Sequence, residues 1–437
     1  MGLGLALAAG ACTASSEEVR PPADQLFFPT GLAASPDESL LFVMSANSEL
    51  RYDSGTVQVI DLATVDETID AWLTSGERPT GCERDLTLPG ILDCDEARFF
   101  IAGAGVRTGN FGANLAVQDL GGGNLRLVVP VRGDPSVTWI DWSAADRKLS
   151  CSSDSGFQLC DDAHRLTRMR GDDSLPQVVS EPFGVYVDST AEVAMVTHLT
   201  SGTVTLVDLP PDGPPVLADV IGGLFASDPT TGARGATAVA GRTPGGLMYV
   251  TSRTENRVQT FAVSRPGGAD ALPLLLAGDY FFLSRVGTNA GQSSDTRGIA
   301  FGAGGDRAYM MNREPPSLAL VDTSDDGLGF PRNEVTGATD LCREASGLAV
   351  ADVGDGERAY VSCFQDGEVY VIDPRGGVEV EDIATIGRGP FSVVASPTRR
   401  RLYVSNFFEN TVAVVDLTPG APTQNRVVLR IGLPEDQ

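Results

Sequence analysis

The sequence predicts an all-β protein, a single β-propeller of four-stranded antiparallel blades. Two short sequence motifs, which we call the opening and closing phrases, recur along the chain. Each pair of phrases fits a set of short strands with no long helix between them. The 50 glycines and 27 prolines among 437 residues suit a fold that turns after every short strand. We expect eight blades, with seven as the alternative.

The first phrase opens each copy with small or apolar residues that lead into a strand. It recurs at intervals of roughly 50 residues, a spacing typical of propeller blades. Its positions are Gly31, Gly90, Val137, Gly184, Thr237, Gly298, Gly347 and Ser392. Eight occurrences predict eight blades over residues 26–437. The count of seven requires the weak third copy, around Val137, to be an insertion.

The second phrase closes a copy with a run of β-formers that ends in an aspartate. A carboxylate at the end of a strand accepts hydrogen bonds from the amides of the following turn, so we expect these residues to be structural. They are Asp61, Asp119, Asp208, Asp322, Asp373 and Asp416. After Asp61 we expect a fourth, outer strand over Glu67 to Leu73.

Between the two phrases lie the strands MYVTS at Met248, AYVSC at Ala359 and LYVSN at Leu402. With their VIDL-type endings, these strands resemble the YVTN-repeat β-propeller family of surface-layer and other exported prokaryotic proteins. Propellers of this kind include relatives of lactonase-type hydrolases. The resemblance covers the chain beyond its first 25 residues and implies the propeller fold, but a fold does not choose among functions.

Residues 1–12 form an apolar run that ends in small residues and Cys12. This segment resembles a bacterial lipoprotein signal, in which the cysteine is acylated, and it is too short to span a bilayer. Residues 13–25 are polar and read as a flexible tether. We expect an exported outer-membrane lipoprotein, facing the periplasm or the cell surface and held at the membrane by lipid alone. The alternative is an ordinary secretory segment with a chance cysteine.

Six further cysteines remain, and an even number in an exported chain indicates disulfides. Proximity along the sequence favours three pairs within the predicted propeller. These are Cys82 with Cys94, Cys151 with Cys160, and Cys342 with Cys363.

The formal charge of −26 disfavours nucleic acid and polybasic membrane docking as functions, because phosphate groups are repelled. The chain has two histidines, His164 and His198, which excludes a histidine-rich zinc site. No nucleophile elbow, phosphate-binding loop or dinucleotide fingerprint is present, so we assign no catalytic residue.

Ligands of propellers bind by default where loops gather around the central channel. The loops that begin the innermost strands share a face with the loops that join second and third strands. Charged residues in these loops are the candidates for ligand binding, or else brace one another as ion pairs. They are Glu181, Arg253, Arg297, Arg313 and Glu344.

The favoured function is a non-catalytic module that binds a protein or glycan at the cell surface, without a cofactor. The first alternative is a lactonase-like hydrolase that holds a divalent cation such as calcium in the channel, with Glu181 and Glu344 as ligands. The second alternative is a structural subunit of a surface assembly.

Overall fold

The chain forms one β-propeller of seven blades around a central channel. The structure is a computed structural model that describes residues 19–154, 156–168, 177–228, 232, 234–283 and 294–434. Within each blade, neighbouring strands are antiparallel and follow chain order from the channel to the rim. The predicted all-β propeller is confirmed. The favoured count of eight blades is wrong, and the alternative count of seven is right.

The blades contain the following strands. Blade 1 has β1 (Pro29–Ala34), β2 (Leu40–Ser45) and β3 (Gly55–Asp61); an insertion with α1 (Leu62–Ser75), β4 (Cys82–Arg84) and β5 (Leu92–Cys94) then precedes its outer strand β6 (Val106–Thr108). Blade 2 has β7 (Ala116–Gly121), β8 (Asn124–Val131), β9 (Ser136–Ser143) and β10 (Lys148–Ser150), with β11 (Arg165–Leu166) also paired to β9. Blade 3 has β12 (Pro182–Asp188), β13 (Val193–His198), β14 (Val204–Asp208) and β15 (Val216–Ile221).

The remaining four blades are more regular. Blade 4 has β16 (Ala236–Gly241), β17 (Met248–Ser252), β18 (Arg257–Ser264) and β19 (Leu274–Phe282). Blade 5 has β20 (Asp295–Phe301), β21 (Arg307–Glu314), β22 (Ser317–Asp322) and β23 (Glu334–Asp340). Blade 6 has β24 (Ala345–Asp352), β25 (Glu357–Cys363), β26 (Glu368–Asp373) and β27 (Glu379–Thr385). Blade 7 has β28 (Pro390–Ser396), β29 (Arg401–Asn406), β30 (Thr411–Asp416) and β31 (Arg426–Ile431). Short 3₁₀ turns lie at Glu96–Arg98 and Asp162–His164.

Two of the predicted opening phrases explain the wrong count, because neither begins an innermost strand. Gly90 lies in the turn before β5, and Val137 lies in β9, the third strand of the blade. The innermost strand is β7, which carries the phrase ending in Asp119 that we expected to close a blade. Residues from 62 to 105 are therefore an insertion into blade 1, and the third copy is part of blade 2.

The outer strand expected over Glu67 to Leu73 is also wrong, because these residues belong to α1. Asp61 caps this helix by accepting a hydrogen bond from the Ala63 amide at 3.0 Å. Leu62, Val65 and Ile69 are buried along one face, a spacing of three to four residues that fits a helix and not a strand. The helix ends at Gly76, which has the positive φ of 69° typical of a helix cap.

The insertion also helps to close the ring. Its hairpin, β4 and β5, is joined by the Cys82–Cys94 disulfide, and β5 pairs in parallel with β31 at the rim of blade 7. Blade 7 thereby becomes a six-stranded sheet. A segment that leaves blade 1 thus covers the free edge of the last blade, which stabilises the junction between the two ends of the propeller.

The recurring Tyr-Val-Ser/Thr strands have a physical explanation in the contacts between blades. The serine or threonine hydroxyl donates a hydrogen bond to a carbonyl of the next blade and accepts one from the innermost strand of its own blade. Thr197 contacts the Thr237 carbonyl (2.6 Å) and the Gly184 amide (2.9 Å), and Ser362 contacts the Phe391 carbonyl (2.9 Å) and the Gly347 amide (2.8 Å). The repeated hydroxyl therefore joins neighbouring blades near the channel.

Glycine at the opening phrase allows this close approach. A Cβ atom on Gly184 would lie 2.2 Å from the Thr237 carbonyl oxygen, and a Cβ atom on Gly347 would lie 2.5 Å from the Phe391 carbonyl oxygen. Neighbouring blades could not pack at this distance with any larger residue. The recurring glycines are thus required by packing between blades.

The closing aspartates are structural, as predicted. Asp322 accepts a hydrogen bond from the Ser324 amide at 2.9 Å, Asp373 from the Arg375 amide at 2.8 Å, and Asp416 from the Thr418 amide at 3.1 Å. Each carboxylate therefore fixes the turn that follows a third strand.

Two more disulfides, Cys151–Cys160 and Cys342–Cys363, join the other pairs that proximity along the sequence favoured. Cys12, proposed as the lipidation site, lies outside the described residues, as do residues 13–18 of the expected tether. In the described part of the chain, α1 and the short turns are neither long nor apolar enough to span a bilayer.

Candidate functional site

The candidate site is the mouth of the central channel, where a cavity of about 270 Å³ opens between the innermost strands. We call the face at which these strands begin the upper face. Each blade contributes one residue at the same register to a ring near the top of the cavity. The ring consists of Thr30, Ala113, Phe183, Thr237, Arg297, Ser346 and Phe391. Arg297 is its one charged member.

Two residues before each ring residue, the chain turns a corner into the innermost strand. In six blades the corner residue has a positive φ. These residues are Phe28 (47°), Phe111 (59°), Glu181 (58°), Gly235 (46°), Glu344 (56°) and Gly389 (70°). Such a conformation is strained for most side chains and often marks a functional site. Here it recurs around the ring with unrelated side chains, so it belongs to the fold and is not by itself a sign of catalysis.

The corner sets the position of a second residue, which we call the mouth residue. In those six blades it directly follows the second strand, and its backbone amide donates a hydrogen bond to the corner carbonyl. Arg313 takes the same place in blade 5, where its neighbour Asn312 pairs with Thr296. The mouth residues are Ala46, Arg132, Leu199, Arg253, Arg313, Phe364 and Phe407. Arginines therefore occupy blades 2, 4 and 5, and phenylalanines occupy blades 6 and 7.

Arg297 is the deepest cation of the site. Its Nε donates to Asp295 Oδ1 at 2.5 Å, its guanidinium carbon lies 5.9 Å from the centre of the Phe183 ring, and its side chain is 14% exposed. Burial lowers the pKa of Arg297, the ion pair with Asp295 opposes this, and the charges of Arg253 and Arg313 lower the pKa further. Positive charge is thus concentrated at the mouth.

The carboxylates near the mouth do not balance this charge. Glu344 Oε2 lies 3.1 Å from Arg313 Nη2, and Glu181 Oε2 accepts a hydrogen bond from Arg132 Nε at 2.6 Å. Arg253 packs across Gly235 and forms no ion pair with any residue that the structure describes. Four arginines face three carboxylates, counting Asp295, which leaves one net positive charge in a protein of net charge −26.

Four of the five residues predicted to bind a ligand lie together at the mouth: Arg253, Arg297, Arg313 and Glu344. The fifth, Glu181, begins blade 3 and pairs with Arg132. Sequence analysis missed Arg132 and Asp295. Asp295 is the first residue of β20, the strand that carries Arg297, and Arg132 follows a second strand as Arg253 does. Arg132 was missed because blade 2 was aligned out of register.

The two carboxylates expected to hold a divalent cation lie in different blades. Glu181 belongs to blade 3 and Glu344 to blade 6, and each is paired with an arginine. Across the described ranges, no group of three or more His, Cys, Asp or Glu residues could hold a metal ion. The arginines at this mouth are donors that suit an anion.

The two histidines lie away from the channel lining. His164 Nδ1 is 2.7 Å from Asp161 Oδ1, and its ring stacks on Trp139 with centroids 4.0 Å apart. His198 is fully buried below the upper face, where its Nε2 lies 2.8 Å from Thr205 Oγ1. Burial lowers the pKa of His198 to about 4, so it is neutral at physiological pH. Both histidines have structural roles.

The side of the mouth opposite the arginines is aromatic. Phe407 is the centre of this cluster, with ring centroids 5.2 Å from Phe28, 5.2 Å from Phe408, 6.0 Å from Phe364 and 6.3 Å from Phe391. Most of these contacts are tilted or edge-on, an arrangement that aromatic rings favour. The upper face is thus divided into a basic half and an aromatic half.

Solved structures that resemble the chain share this propeller fold. The chain matches no known protein-family profile and no curated protein. A candidate 6-phosphogluconolactonase of Bacteroides fragilis is 14% identical, with a TM-score of 0.58 over 91% of this chain and 99% of that one. A periplasmic gluconolactonase of Pseudomonas aeruginosa is 16% identical, with a TM-score of 0.54 over 83% of this chain and 86% of that one. The likeness is one of fold. At such identities it does not carry an activity from one protein to another.

Proposed function

We propose that the protein is a lactonase-like propeller that binds a sugar lactone, and the anionic sugar acid formed from it, at the channel mouth. The observation that carries this proposal is the convergence of Arg253, Arg297 and Arg313 on one opening, with Arg253 free of a carboxylate partner in the described part of the chain. Arginine is the side chain best suited to carboxylates and phosphates, because its planar fork binds two oxygens at once.

A buried cluster of like charges is unfavourable unless a ligand compensates for it. Burial lowers the pKa of Arg297, the ion pair with Asp295 opposes this, and the charges of Arg253 and Arg313 lower the pKa further. An anion placed among the three guanidinium groups would favour the charged form of Arg297. The arrangement of these arginines therefore favours anion binding.

Lactone hydrolysis makes use of such a site. Water adds to the ring carbonyl, negative charge develops on the carbonyl oxygen, the ring C–O bond breaks, and the ring oxygen takes a proton to give a hydroxy acid. A guanidinium directed at that oxygen stabilises the developing charge without a metal ion. Arg297, held in place by Asp295 and Phe183, is the residue we assign to this role.

Glu344 is the carboxylate we assign to activation of the water. Its side chain is 43% exposed at the mouth and touches Arg313, so it is open to solvent beside the proposed anion. Glu181 pairs with Arg132 and is assigned to bracing that arginine. Both glutamates were candidate metal ligands in the sequence analysis, and we now propose roles for them that need no metal.

The test combines binding with turnover. We expect the purified protein to hydrolyse glucono-δ-lactone or 6-phosphogluconolactone and to bind the product acid in isothermal titration calorimetry. Arg297→Gln should weaken product binding by about 100-fold, the equivalent of one lost charged hydrogen-bonding group. Glu344→Gln should remove turnover and leave product binding within about threefold of wild type.

Arg375→Gln is the matched control, because Arg375 is 59% exposed and pairs with Asp373 at the end of a third strand, away from the mouth. It should leave both measurements unchanged. Absence of turnover and binding for both acids would overturn the proposal. Binding without turnover would instead support the alternative, a non-catalytic binding module.

The cellular setting is also a proposal. We propose an exported protein anchored through Cys12, since three disulfides suit an oxidising compartment. Labelling of cells with a radioactive fatty acid should give a labelled protein whose label is lost in Cys12→Ser. An unlabelled wild-type protein would contradict this.

A further inference from the structure

A groove on the upper face lies next to the channel mouth, between blades 6 and 7. It has a volume of about 600 Å³, within the range of about 300 to 1,000 Å³ that is typical of small-molecule sites. Phe364, Asp366, Arg388, Phe408 and Glu409 are among the residues that line it. Glu344 lines it too, so the groove and the proposed anion site are neighbours.

The floor of the groove presents aromatic rings. Phe408 is 39% exposed, and its ring centroid lies 5.2 Å from that of Phe364. Gly389 keeps this platform open, because a Cβ atom there would lie 2.7 Å from the Phe408 ring and 3.2 Å from the Phe364 ring. The groove thus has a flat apolar surface of the kind on which another ring can stack.

Glu409 supplies a polar group that the protein itself does not satisfy. The side chain is only 10% exposed, and among the described residues its Oε2 has no hydrogen-bond partner. Its other oxygen lies 3.6 Å from Arg388 Nε, which is too long for a hydrogen bond. A buried carboxylate oxygen without a donor costs free energy, and a donor from a ligand would satisfy it.

The charges around the groove cancel. Glu344 lies beside Arg313, Asp366 accepts from Arg343 at 2.6 Å, and Glu409 lies beside Arg388. The three carboxylate–arginine pairs leave no net charge to attract an organic cation or an anion. They do offer donors and acceptors side by side, which suits vicinal hydroxyl groups.

We infer that this groove binds the ring of a neutral sugar, which stacks on Phe408 and donates a hydroxyl hydrogen bond to Glu409. The walls of the groove are held rigid for this purpose. The Cys342–Cys363 disulfide joins the segment that leads to Glu344 to the residue before Phe364. The inference does not depend on lactone hydrolysis, and it assigns a second recognition site to the upper face.

The test is a titration of the purified protein with cellobiose, maltose and lactose, in which calorimetry and saturation-transfer NMR measure binding. We expect at least one of the three sugars to bind, and Phe408→Ala to weaken that binding by about tenfold, through loss of the stacking ring. Glu409→Gln should also weaken binding, because the unpaired acceptor becomes a neutral amide. Phe330→Ala is the matched control, since Phe330 is 64% exposed in the turn after β22, and it should bind like wild type.

Arg297→Gln separates this proposal from the proposed function. It should leave sugar binding unchanged while anion binding is lost. Failure of all three sugars to bind would overturn the inference, as would sugar binding that survives Phe408→Ala or that falls in parallel with Arg297→Gln. Binding of choline in place of the sugars would also overturn it, by showing that the groove selects a cation.

Discussion

The basic and aromatic halves of the upper face are built on the same backbone. In both halves the chain turns a corner, and the amide of a mouth residue donates to the corner carbonyl. Arg253 and Arg313 hold this place in blades 4 and 5, whereas Phe364 and Phe407 hold it in blades 6 and 7. The difference shows that the propeller supplies positions and that single side chains decide which ligand each position favours.

The halves also differ in how their side chains are satisfied. The aromatic half is packed, with rings in mutual contact around Phe407. In the basic half, burial lowers the pKa of Arg297, the ion pair with Asp295 opposes this, and the charges of Arg253 and Arg313 lower the pKa further. Groups with a shifted pKa beside a cavity are typical of functional sites, so the basic half is the better candidate for the primary site.

The first prediction concerns the residue that precedes the mouth residue. In blade 3 it is His198, and in blade 7 it is Asn406, both buried. The pKa of His198 is about 4 in the folded protein and 6.5 in the unfolded chain, so the unfolded chain binds the extra proton between these values. The contribution of His198 to the free energy of unfolding should therefore fall as pH falls from 6.5 towards 4, by up to about 3 kcal/mol.

His198→Asn, which copies the residue in blade 7, should remove most of this pH dependence. Urea denaturation at a series of pH values measures it. The difference between the two proteins isolates His198 from Asp93, whose pKa burial raises to about 6 and whose effect on stability has the opposite sign. Equal pH dependence of wild type and His198→Asn between pH 6.5 and 4 would contradict the prediction.

The second prediction tests whether the two halves share one frame, that is, the same close packing of backbone between neighbouring blades. Gly184→Ala and Gly347→Ala should each lower the free energy of unfolding by about 2 kcal/mol, because the added Cβ meets a backbone carbonyl of the next blade. Gly90→Ala is the control, since a Cβ there meets nothing within 4 Å. A large loss in one blade and none in the other would contradict a common frame.

The third prediction compares two substitutions at the mouth position. Arg253→Gln should raise the free energy of unfolding by about 0.5 to 1 kcal/mol by removing repulsion from Arg297, and it should weaken anion binding by about tenfold. Phe407→Leu should lower stability by about 1 kcal/mol through lost ring contacts and leave anion binding unchanged. Thermal denaturation and calorimetry measure both effects. Opposite signs of the stability change would be hard to obtain if the arginines had only a structural role.

The smallest expected effect is a difference in salt dependence between binding of the acid and binding of the neutral sugar. Raising sodium chloride from about 50 to 500 mM should weaken binding of the acid several-fold, because salt screens exposed charges. Binding of the neutral sugar should not change. Equal salt sensitivity of the two ligands would argue that both occupy the basic half.

Much of the fold could be predicted because each repeat contains the residues that stabilise its blade. The Ser/Thr hydroxyls, the packing glycines and the closing aspartates act within or between adjacent blades, so their spacing is visible in the sequence. The insertion could not be predicted as easily. Gly90 resembles an opening phrase but lies in a turn, and α1 was taken for a strand although Asp61 and Gly76 are good helix caps.

The candidate site was predicted in part. Arg253, Arg297 and Arg313 were identified from their places in the repeats, because loops of the same kind must reach the same face. The balance of charge among them could not be predicted, since it depends on which carboxylate each arginine contacts. The neighbouring groove was also missed, because the exposure of Phe408 and the unpaired oxygen of Glu409 arise from packing between two blades.

The most direct test of the central claim is a crystal structure of the protein with bound gluconate. The account predicts that the gluconate carboxylate lies at the channel mouth, within hydrogen-bonding distance of Arg297 and of Arg253 or Arg313. A metal ion held by Glu344 at the mouth, or gluconate bound elsewhere with the mouth empty at saturating concentration, would contradict it.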